Sequence, residues 1–216
     1  MLLTCIQVKA QVRFSMATDV SVMRNFSPQQ KFWALGQTVQ GNFHFNKKET
    51  AYAWLSYYTK GKFRNNFLAT AKSQFTFPQI ISYRVTGSWR YREVSLGWKH
   101  YFKGSFDNET RWNLYSIAGF GLMFTKVENN FNRSVDTALY NLPPAPVPGI
   151  NSFYRLIIDL GMGTEFPIGG DFFLYADLRT WLPSTNYPSP YLHNNKNVPL
   201  PIMISAGMRI LFGGSY

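Results

Sequence analysis

The chain has little charge, almost no cysteine and no long hydrophobic run. Only 15% of its 216 residues are charged, 18% are aromatic, and Cys5 is its one cysteine. The aromatic content argues against disorder, and no apolar run approaches the roughly twenty residues of a membrane helix. Beyond residue 11 there is no cysteine, so the fold needs no redox chemistry.

Acidic residues are also scarce, since 22 Lys and Arg face 11 Asp and Glu and leave a net charge of +11. A nucleic-acid-binding protein with this charge normally carries it in runs or on one helical face. Here the basic residues are scattered among aromatic, glycine and asparagine residues. The sequence therefore predicts no nucleic-acid partner.

The first ten residues resemble the end of a signal peptide. Apolar residues Leu2, Leu3 and Ile6 precede Val8 and Ala10, which would suit cleavage before Gln11. The basic start of such a peptide is missing, and a short apolar tail is the alternative. We therefore expect residues 1–10 to be a signal-peptide remnant on an exported chain, and residues 11–216 to form a single domain.

Helical periodicity is almost absent, and apolar residues recur instead at every second position, as in β-strands. The clearest examples are Tyr154, Leu156, Ile158, Leu160 and Met162, and Ile202, Ile204, Ala206, Met208, Ile210 and Phe212. Eight such segments can be counted. Short, turn-like connections at 46–49, 103–110 and 167–170 alternate with long ones at 27–36, 61–88, 129–151 and 183–200. This pattern predicts an all-β fold, an eight-stranded antiparallel up-and-down β-barrel.

Within the second long connection, residues 80–85 have strand character. They would either extend the neighbouring strand above the rim or form a small extra hairpin.

Alternation alone does not say whether the apolar face lines a cavity, as in a lipocalin, or faces lipid. Aromatic residues cluster at the predicted strand ends, which is typical of the girdles at a membrane interface. The predicted girdle residues are Trp33, Trp89, Tyr91, Trp98, Tyr101, Phe102, Trp112, Phe172 and Trp181. The opposite, polar face is rich in small residues, as expected for a narrow lumen filled by side chains.

The polar face also carries five basic and five acidic residues, so it is neutral overall. The bases are Arg13, Lys99, Arg155, Arg179 and Arg209, and the acids are Asp19, Glu93, Asp159, Glu165 and Asp177. Buried charges are tolerated when they are paired and hydrogen-bonded. We therefore expect an ion-pair network that closes the lumen.

The last predicted strand reads polar, x, Gly, x, x, hydrophobic, x, hydrophobic at Ser205, Gly207, Ile210 and Phe212. This order resembles the C-terminal signal by which the assembly machinery recognises outer-membrane barrels. With the alternating strands, the chain resembles the small eight-stranded outer-membrane β-barrel proteins, such as the OmpA membrane domain and OmpX. The resemblance implies a location in the Gram-negative outer membrane, with short turns in the periplasm and long loops outside.

The positive charge falls mainly on the long-loop side, where twelve basic residues face only two acidic ones. Because lipopolysaccharide in the outer leaflet carries phosphates, Lys and Arg at this rim could neutralise them. The strongest candidate site for lipopolysaccharide consists of Lys60, Lys62, Arg64, Arg90 and Arg92. The alternative is a set of solvated charges that only aid solubility.

No catalytic, metal or cofactor site is predicted. His44, His100 and His193 lie on separate elements without ligand-spaced partners. Exposed aromatic residues in the loops, such as Phe75 and Phe77, suggest contact with a surface protein partner. We expect a non-enzymatic barrel in envelope integrity or surface binding; the alternatives are a narrow conduit for small solutes and a lipid A-modifying enzyme.

Overall fold

A computed structural model describes residues 13–143, 146–184, 190–192 and 201–213, and it is all-β. Its strands are β1 Arg13–Asn25, β2 Phe32–His44, β3 Glu49–Tyr58, β4 Gly61–Ala71, β5 Ile80–Lys103, β6 Asn113–Phe131, β7 Tyr140–Asn141, β8 Gly149–Gly169, β9 Phe172–Pro183 and β10 Pro201–Phe212. Residues 1–10, the expected signal-peptide remnant, lie outside the described residues. Within the described ranges, no helix is long and apolar enough to cross a membrane.

Eight strands form a closed antiparallel ring. Going round it, β1 is followed by β2, β3, β5, β6, β8, β9 and β10, and β10 pairs with β1 again. Closure leaves no free edge in the ring, so every strand there is hydrogen-bonded on both sides. The predicted eight-stranded up-and-down barrel is confirmed.

The apolar face of the alternating strands points outward. Val20 is 67% exposed and Ile204 63%, whereas Asp159 and Arg209 in the lumen are 1% and 0% exposed. A soluble barrel with an oily cavity would show the reverse arrangement. The lipocalin-like alternative is therefore excluded, and the outer wall is suited to lipid.

Segment 61–88, predicted to be a loop, is mostly a hairpin, and this prediction was wrong. Strands β3 and β4 both pair with β5, and β4 continues the line of β3 with one extra residue between them. Tyr57 at the end of β3 pairs with Arg92, and Gly61 at the start of β4 pairs with Trp89. The alternation of this hairpin is the inverse of that in the membrane strands, so it does not match the pattern that predicts them. Above the membrane its polar residues face out to water, and apolar residues such as Tyr83 and Val85 face in. Residues 80–85 thus both extend β5 and pair with β4.

The first long connection is also shorter than predicted, since β2 begins at Phe32 and only residues 26–31 link it to β1. The third begins after Phe131 and contains the two-residue strand β7, which pairs with the end of β4. Most of the fourth, residues 185–189 and 193–200, lies outside the described residues.

Several residues predicted for the aromatic girdles lie inside the barrel instead. Trp89, Tyr91, Tyr101 and Trp181 are buried, whereas the other predicted girdle residues face outward. The large inward rings form two layers. The extracellular layer contains Phe32, Tyr58, Phe63, Trp89, Tyr91, Phe153 and Trp181, and the periplasmic layer contains Tyr52, Trp54, Tyr101, Phe106, Tyr115 and Phe173. Large aromatic side chains therefore line both ends of the lumen.

Candidate functional site

One buried charged cluster of the lumen is centred on Glu165 of β8, near the periplasmic end, which is completely buried. Its carboxylate accepts hydrogen bonds from Arg209 Nη2 at 2.9 Å and Arg209 Nε at 3.2 Å. Lys99 Nζ lies 3.4 Å away, and the Tyr101 hydroxyl donates at 3.1 Å. One acid thus holds two buried cations, and the Arg209 pair has the bidentate geometry that strengthens such contacts.

A second cluster lies at mid-height around Arg179 on β9. Its Nη2 donates to Asp19 Oδ2 at 3.2 Å and to Ser205 Oγ at 3.1 Å, and its guanidinium lies 4.7 Å from the Trp54 ring centroid. Tyr175 donates a further bond to Asp19 at 3.1 Å. Arg179 forms its salt bridge with Asp19 on β1, two strands away in the ring, and not with Asp177, its neighbour on its own strand face.

The other predicted lumen acids accept bonds from neutral donors. Trp54 Nε1 donates to Glu93 at 3.0 Å, Ser95 donates to Asp159, and Tyr115 donates to Asp177. Arg155, the remaining buried base of the predicted set, lies 5.1 Å from the Phe153 ring centroid. The lumen therefore combines ion pairs with aromatic and hydroxyl donors, and these donors were not part of the sequence prediction.

Arg13 differs from the other predicted lumen bases because its partner lies outside the set. It forms a 3.2 Å salt bridge with Asp107 in the turn after β5, and both side chains are partly exposed. Arg13 is the first residue of β1 and lies at the periplasmic mouth. The turn folds back under that mouth, which brings Asp107 within reach.

The same turn places Phe106 in the periplasmic opening of the barrel. Arg209 Nη2 donates to the Phe106 carbonyl oxygen at 2.7 Å, and the Phe106 ring stacks on His44 at a centroid distance of 4.1 Å. His44 is hydrogen-bonded to Ser15 Oγ at 2.8 Å and to Thr50 Oγ1 at 2.7 Å. The sequence did not predict the position of Phe106, since turn residues carry no periodic signal.

On the outer wall, all five residues of the predicted lipopolysaccharide site point away from the lumen, on or beside β4 and β5. The pairing of β5 with β6 adds Lys126, which lies directly opposite Arg90. We call Lys60, Lys62, Arg64, Arg90, Arg92 and Lys126 the basic belt. Lys126 was missed because its position beside Arg90 depends on strand register.

Aromatic side chains lie at the lower edge of the basic belt. Tyr57 and Phe124 are the cross-strand neighbours of Arg92, and Tyr154 is the next residue along that row. The Arg92 guanidinium lies 5.8 Å from the Tyr57 ring centroid. Below this row the outer wall is apolar, with Leu55, Val94, Leu122 and Leu156. The belt therefore begins where the lipid-facing surface ends.

Two grooves in the outer wall are lined by belt residues. One, of about 380 Å³, has Arg90, Arg92 and Lys126 among its lining residues, beside Phe124 and Tyr154. The other, of about 680 Å³, is lined in part by Lys60, Lys62 and Arg64. Each groove brings at least three cations together, which suits a ligand with several anionic groups.

Glu128 is the acidic residue that lines the second groove, and it accepts a hydrogen bond from Lys60 Nζ at 3.1 Å. This bond, with a further one from Asn130, holds the pKa of the Glu128 carboxyl below its ordinary value. The carboxylate is ionised at neutral pH and offsets one positive charge of the belt.

The four residues of the predicted assembly signal lie on β10, the strand that closes the ring against β1. Ser205 faces the lumen, Ile210 and Phe212 face outward, and Gly207 lies opposite Asp19. The Phe212 and Phe14 rings stack at a centroid distance of 6.0 Å. In the described part of the chain, no three His, Cys, Asp or Glu side chains are placed to hold a metal ion.

No model of a protein family matches the sequence, and no curated protein matches it. Solved structures do match. Ail, the attachment invasion locus protein of Yersinia pestis, in complex with the heparin analogue sucrose octasulfate, aligns over 93% of this chain and 99% of its own at 14% identity, with a TM-score of 0.50.

Two further structures align over similar shares of both chains. Neisserial surface protein A covers 91% of this chain and 96% of its own at 11% identity, with a TM-score of 0.55. The N-terminal β-barrel domain of Pseudomonas aeruginosa OprF covers 94% of this chain and all of its own at 11% identity, with a TM-score of 0.50. Likeness at these identities establishes the fold, and this chain has the fold of the small eight-stranded outer-membrane β-barrel proteins.

Proposed function

We propose that this protein is a non-enzymatic outer-membrane barrel that contacts lipopolysaccharide through the basic belt and so serves envelope integrity or surface binding. The observation that carries the proposal is the position of Arg90 and Lys126. They lie one outward-facing row above Arg92, Phe124 and Tyr154, where the aromatic girdle meets the polar rim. Headgroup phosphates of the outer leaflet would lie at this level.

The chemistry of the belt suits phosphate. Arginine binds phosphate through paired N–H donors, and lysine contributes a mobile charge. Ail binds sucrose octasulfate, a ligand with many anionic groups. The shared requirement is a dense array of anions, so a sulfated sugar is a reasonable competitor for the same cations.

A double charge reversal, K62E/R90E, should weaken binding to purified lipopolysaccharide by about tenfold for each charge-assisted hydrogen bond that it removes. The affinity should also fall as salt is raised, because the belt is exposed. E128Q should have the opposite effect, a gain of about two- to fivefold, because it removes the carboxylate that holds Lys60. Binding can be measured by titrating labelled lipopolysaccharide into detergent-solubilised protein.

The matched control is K47E/K48E, which changes charge equally on exposed residues of the periplasmic turn. It should leave lipopolysaccharide affinity unchanged. Competition with sucrose octasulfate tests whether the belt prefers lipid phosphates or any polyanion. If K62E/R90E bound as tightly as the unaltered protein, the belt would be a solvated rim without a ligand.

We further propose that the lumen is closed. The supporting features are the ring layers at both ends, the mid-height cluster around Arg179, and Phe106 held in the periplasmic opening. An eight-stranded barrel is just wide enough for side chains to fill it.

The protein should therefore produce no ion channels in planar bilayers under conditions in which a porin conducts. Steady conductance that changed in R155Q or R209Q would overturn closure and favour the narrow conduit.

We also propose that the protein has no enzymatic activity. The hydrogen-bonded pair Ser15 and His44 has two members of a hydrolase triad. Both are buried, however, and the other ring nitrogen of His44 bonds the Thr50 hydroxyl where a triad has a carboxylate. The Phe106 ring covers the imidazole. This arrangement supports a structural role for the pair.

A further inference from the structure

The connection between β4 and β5, residues 72–79, presents two phenylalanines at the end of the hairpin that rises above the basic belt. Phe75 is 95% exposed and Phe77 is 85% exposed. These are the largest exposed fractions among the large hydrophobic side chains of the described residues. Leu68 and Ile80, just below on the outer face of the hairpin, are more than half exposed. We call residues 72–79 the apex.

The apex is held in one shape by its own hydrogen bonds. The Gln79 side-chain amide donates to the carbonyl oxygens of Thr76 at 2.8 Å, Gln74 at 2.9 Å and Ser73 at 3.3 Å. Ser73 Oγ accepts from the Phe75 amide at 3.2 Å, and the Ser73 carbonyl accepts from the Thr76 amide at 3.2 Å. The two phenylalanine rings are therefore exposed by a turn whose backbone is held by hydrogen bonds.

The neighbouring segment 137–140 also contacts the apex. The Tyr140 hydroxyl donates to the Pro78 carbonyl oxygen at 3.0 Å, and Lys72 Nζ donates to the Thr137 carbonyl oxygen at 2.7 Å. The Ala71 amide donates to the Gln79 carbonyl oxygen at 2.8 Å. As a result, five carbonyl oxygens of residues 73–79 have partners within the protein. These internal partners lower the cost of moving the five carbonyl groups out of bulk water and into a membrane interface.

The hairpin that carries the apex is cationic, since the sequence from Gly61 to Arg92 contains six basic residues and no acidic residue. Four of the six belong to the basic belt, and the loop beside the apex adds Arg133 and Asp136, whose charges offset each other. Lys72 lies within the apex and Arg84 on the outer face of β5 below it, and both are exposed. Apolar tips with flanking bases are typical of segments that bind the interface of an anionic membrane.

The apex lies too far from the basic belt to reach the bilayer that the belt borders. Lys62 and Thr70 on β4 are eight residues apart, which corresponds to about 27 Å of strand. A bilayer that meets Phe75 and Phe77 must therefore face the cell surface from outside.

From these observations we infer that the apex is a membrane-insertion tip. Phe75 and Phe77 enter the interface of a second, anionic phospholipid bilayer opposite the cell surface, and Lys72 and Arg84 lie at its headgroups. A protein partner is less favoured, because it could supply donors to the apex carbonyls and would not require them to be satisfied internally.

The test uses the full barrel in nanodiscs of zwitterionic lipid, mixed with phosphatidylcholine vesicles that contain or lack phosphatidylserine. The unaltered protein should co-float with the anionic vesicles and bind neutral ones more weakly. F75S/F77S should bind the anionic vesicles at least about tenfold more weakly, because each ring contributes its burial in the interface. Neither ring packs in the core, so this variant should still form the folded barrel.

The matched control is L139S, which removes an exposed apolar side chain from the neighbouring loop. It should bind vesicles like the unaltered protein, and empty nanodiscs should not co-float. Equal flotation of F75S/F77S and the unaltered protein would overturn the inference. So would a protein that binds no vesicles yet needs Phe75 and Phe77 to attach to cells, which would assign the apex to a protein partner. Lipopolysaccharide binding by F75S/F77S should be unchanged, so this result is independent of the basic belt.

Discussion

Replacing Glu165 with alanine should destabilise the folded barrel by about 3–5 kcal/mol, the usual cost of removing one partner from a buried ion pair. Glu165 is completely buried, and its removal leaves both Lys99 and Arg209 without their carboxylate. The Tyr101 hydroxyl is also left without its acceptor. Urea unfolding of the barrel in detergent, followed by the gel shift between unheated and boiled samples, measures the effect.

The control for E165A is E109A, the same substitution at an exposed residue of the periplasmic turn. E109A should unfold at the same urea concentration as the unaltered protein. A second variant tests the cause, because K99M in the E165A background removes one of the two stranded cations and should restore part of the stability. Equal urea midpoints for E165A and E109A would show that the ion pairs do not contribute to the stability of the barrel.

Replacing Gly207 with alanine should prevent or strongly impair closure of the barrel. A Cβ atom at this position would overlap the Thr18 carbonyl oxygen and lie 2.7 Å from Asp19 Cα on the facing strand. Both obstacles are backbone atoms of β1, which move only if the β1 and β10 ladder is distorted. We expect a destabilisation of about 3 kcal/mol, the upper end for one added methyl group in a packed core. The measurement is the yield of heat-modifiable protein after refolding from urea into detergent.

Gly41 provides a matched control, because a Cβ there would meet only the Phe14 ring at 3.5 Å, an ordinary contact. G41A should refold like the unaltered protein. Refolding in detergent needs no assembly machinery, so this experiment separates the two roles proposed for Gly207. Normal refolding of G207A in detergent, with failure only in cells, would assign the glycine to the assembly signal and contradict the close-packing explanation.

The sequence was sufficient to predict the barrel fold, because alternate residues of a membrane strand face two different environments. One set contacts lipid and is apolar, and the other set faces the lumen and is largely polar. The alternation of Ile202 to Phe212 identifies one face as apolar, and the mid-strand charges identify the other as a lumen. The same rule failed where the environment changes along one strand. On β4 and the upper half of β5, water replaces lipid outside, so the polar and apolar faces exchange and the sequence pattern no longer indicates a membrane strand.

The prediction of the aromatic girdles from the sequence was limited in a similar way. Trp98 and Trp181 both lie near strand ends, yet Trp98 faces lipid and Trp181 packs in the lumen. Whether an aromatic ring faces lipid or the lumen is predicted better by the alternation of its strand than by its position near the strand end. For Trp181, the phase set by Leu178 and Leu182 places the ring inside.

The sequence by itself determined the eight strands of the ring, its closure and the direction in which most side chains point, because these follow from a pattern that repeats within each strand. Only the tertiary structure decided which side chains meet. Arg179 reaches Asp19 and not its neighbour Asp177, Arg13 reaches Asp107, and Lys126 joins Arg90 in the basic belt. Those contacts depend on the stagger between neighbouring strands and on how the turns fold over the rim. Both are set by interactions between residues that are distant in the sequence and that meet only when the ring closes.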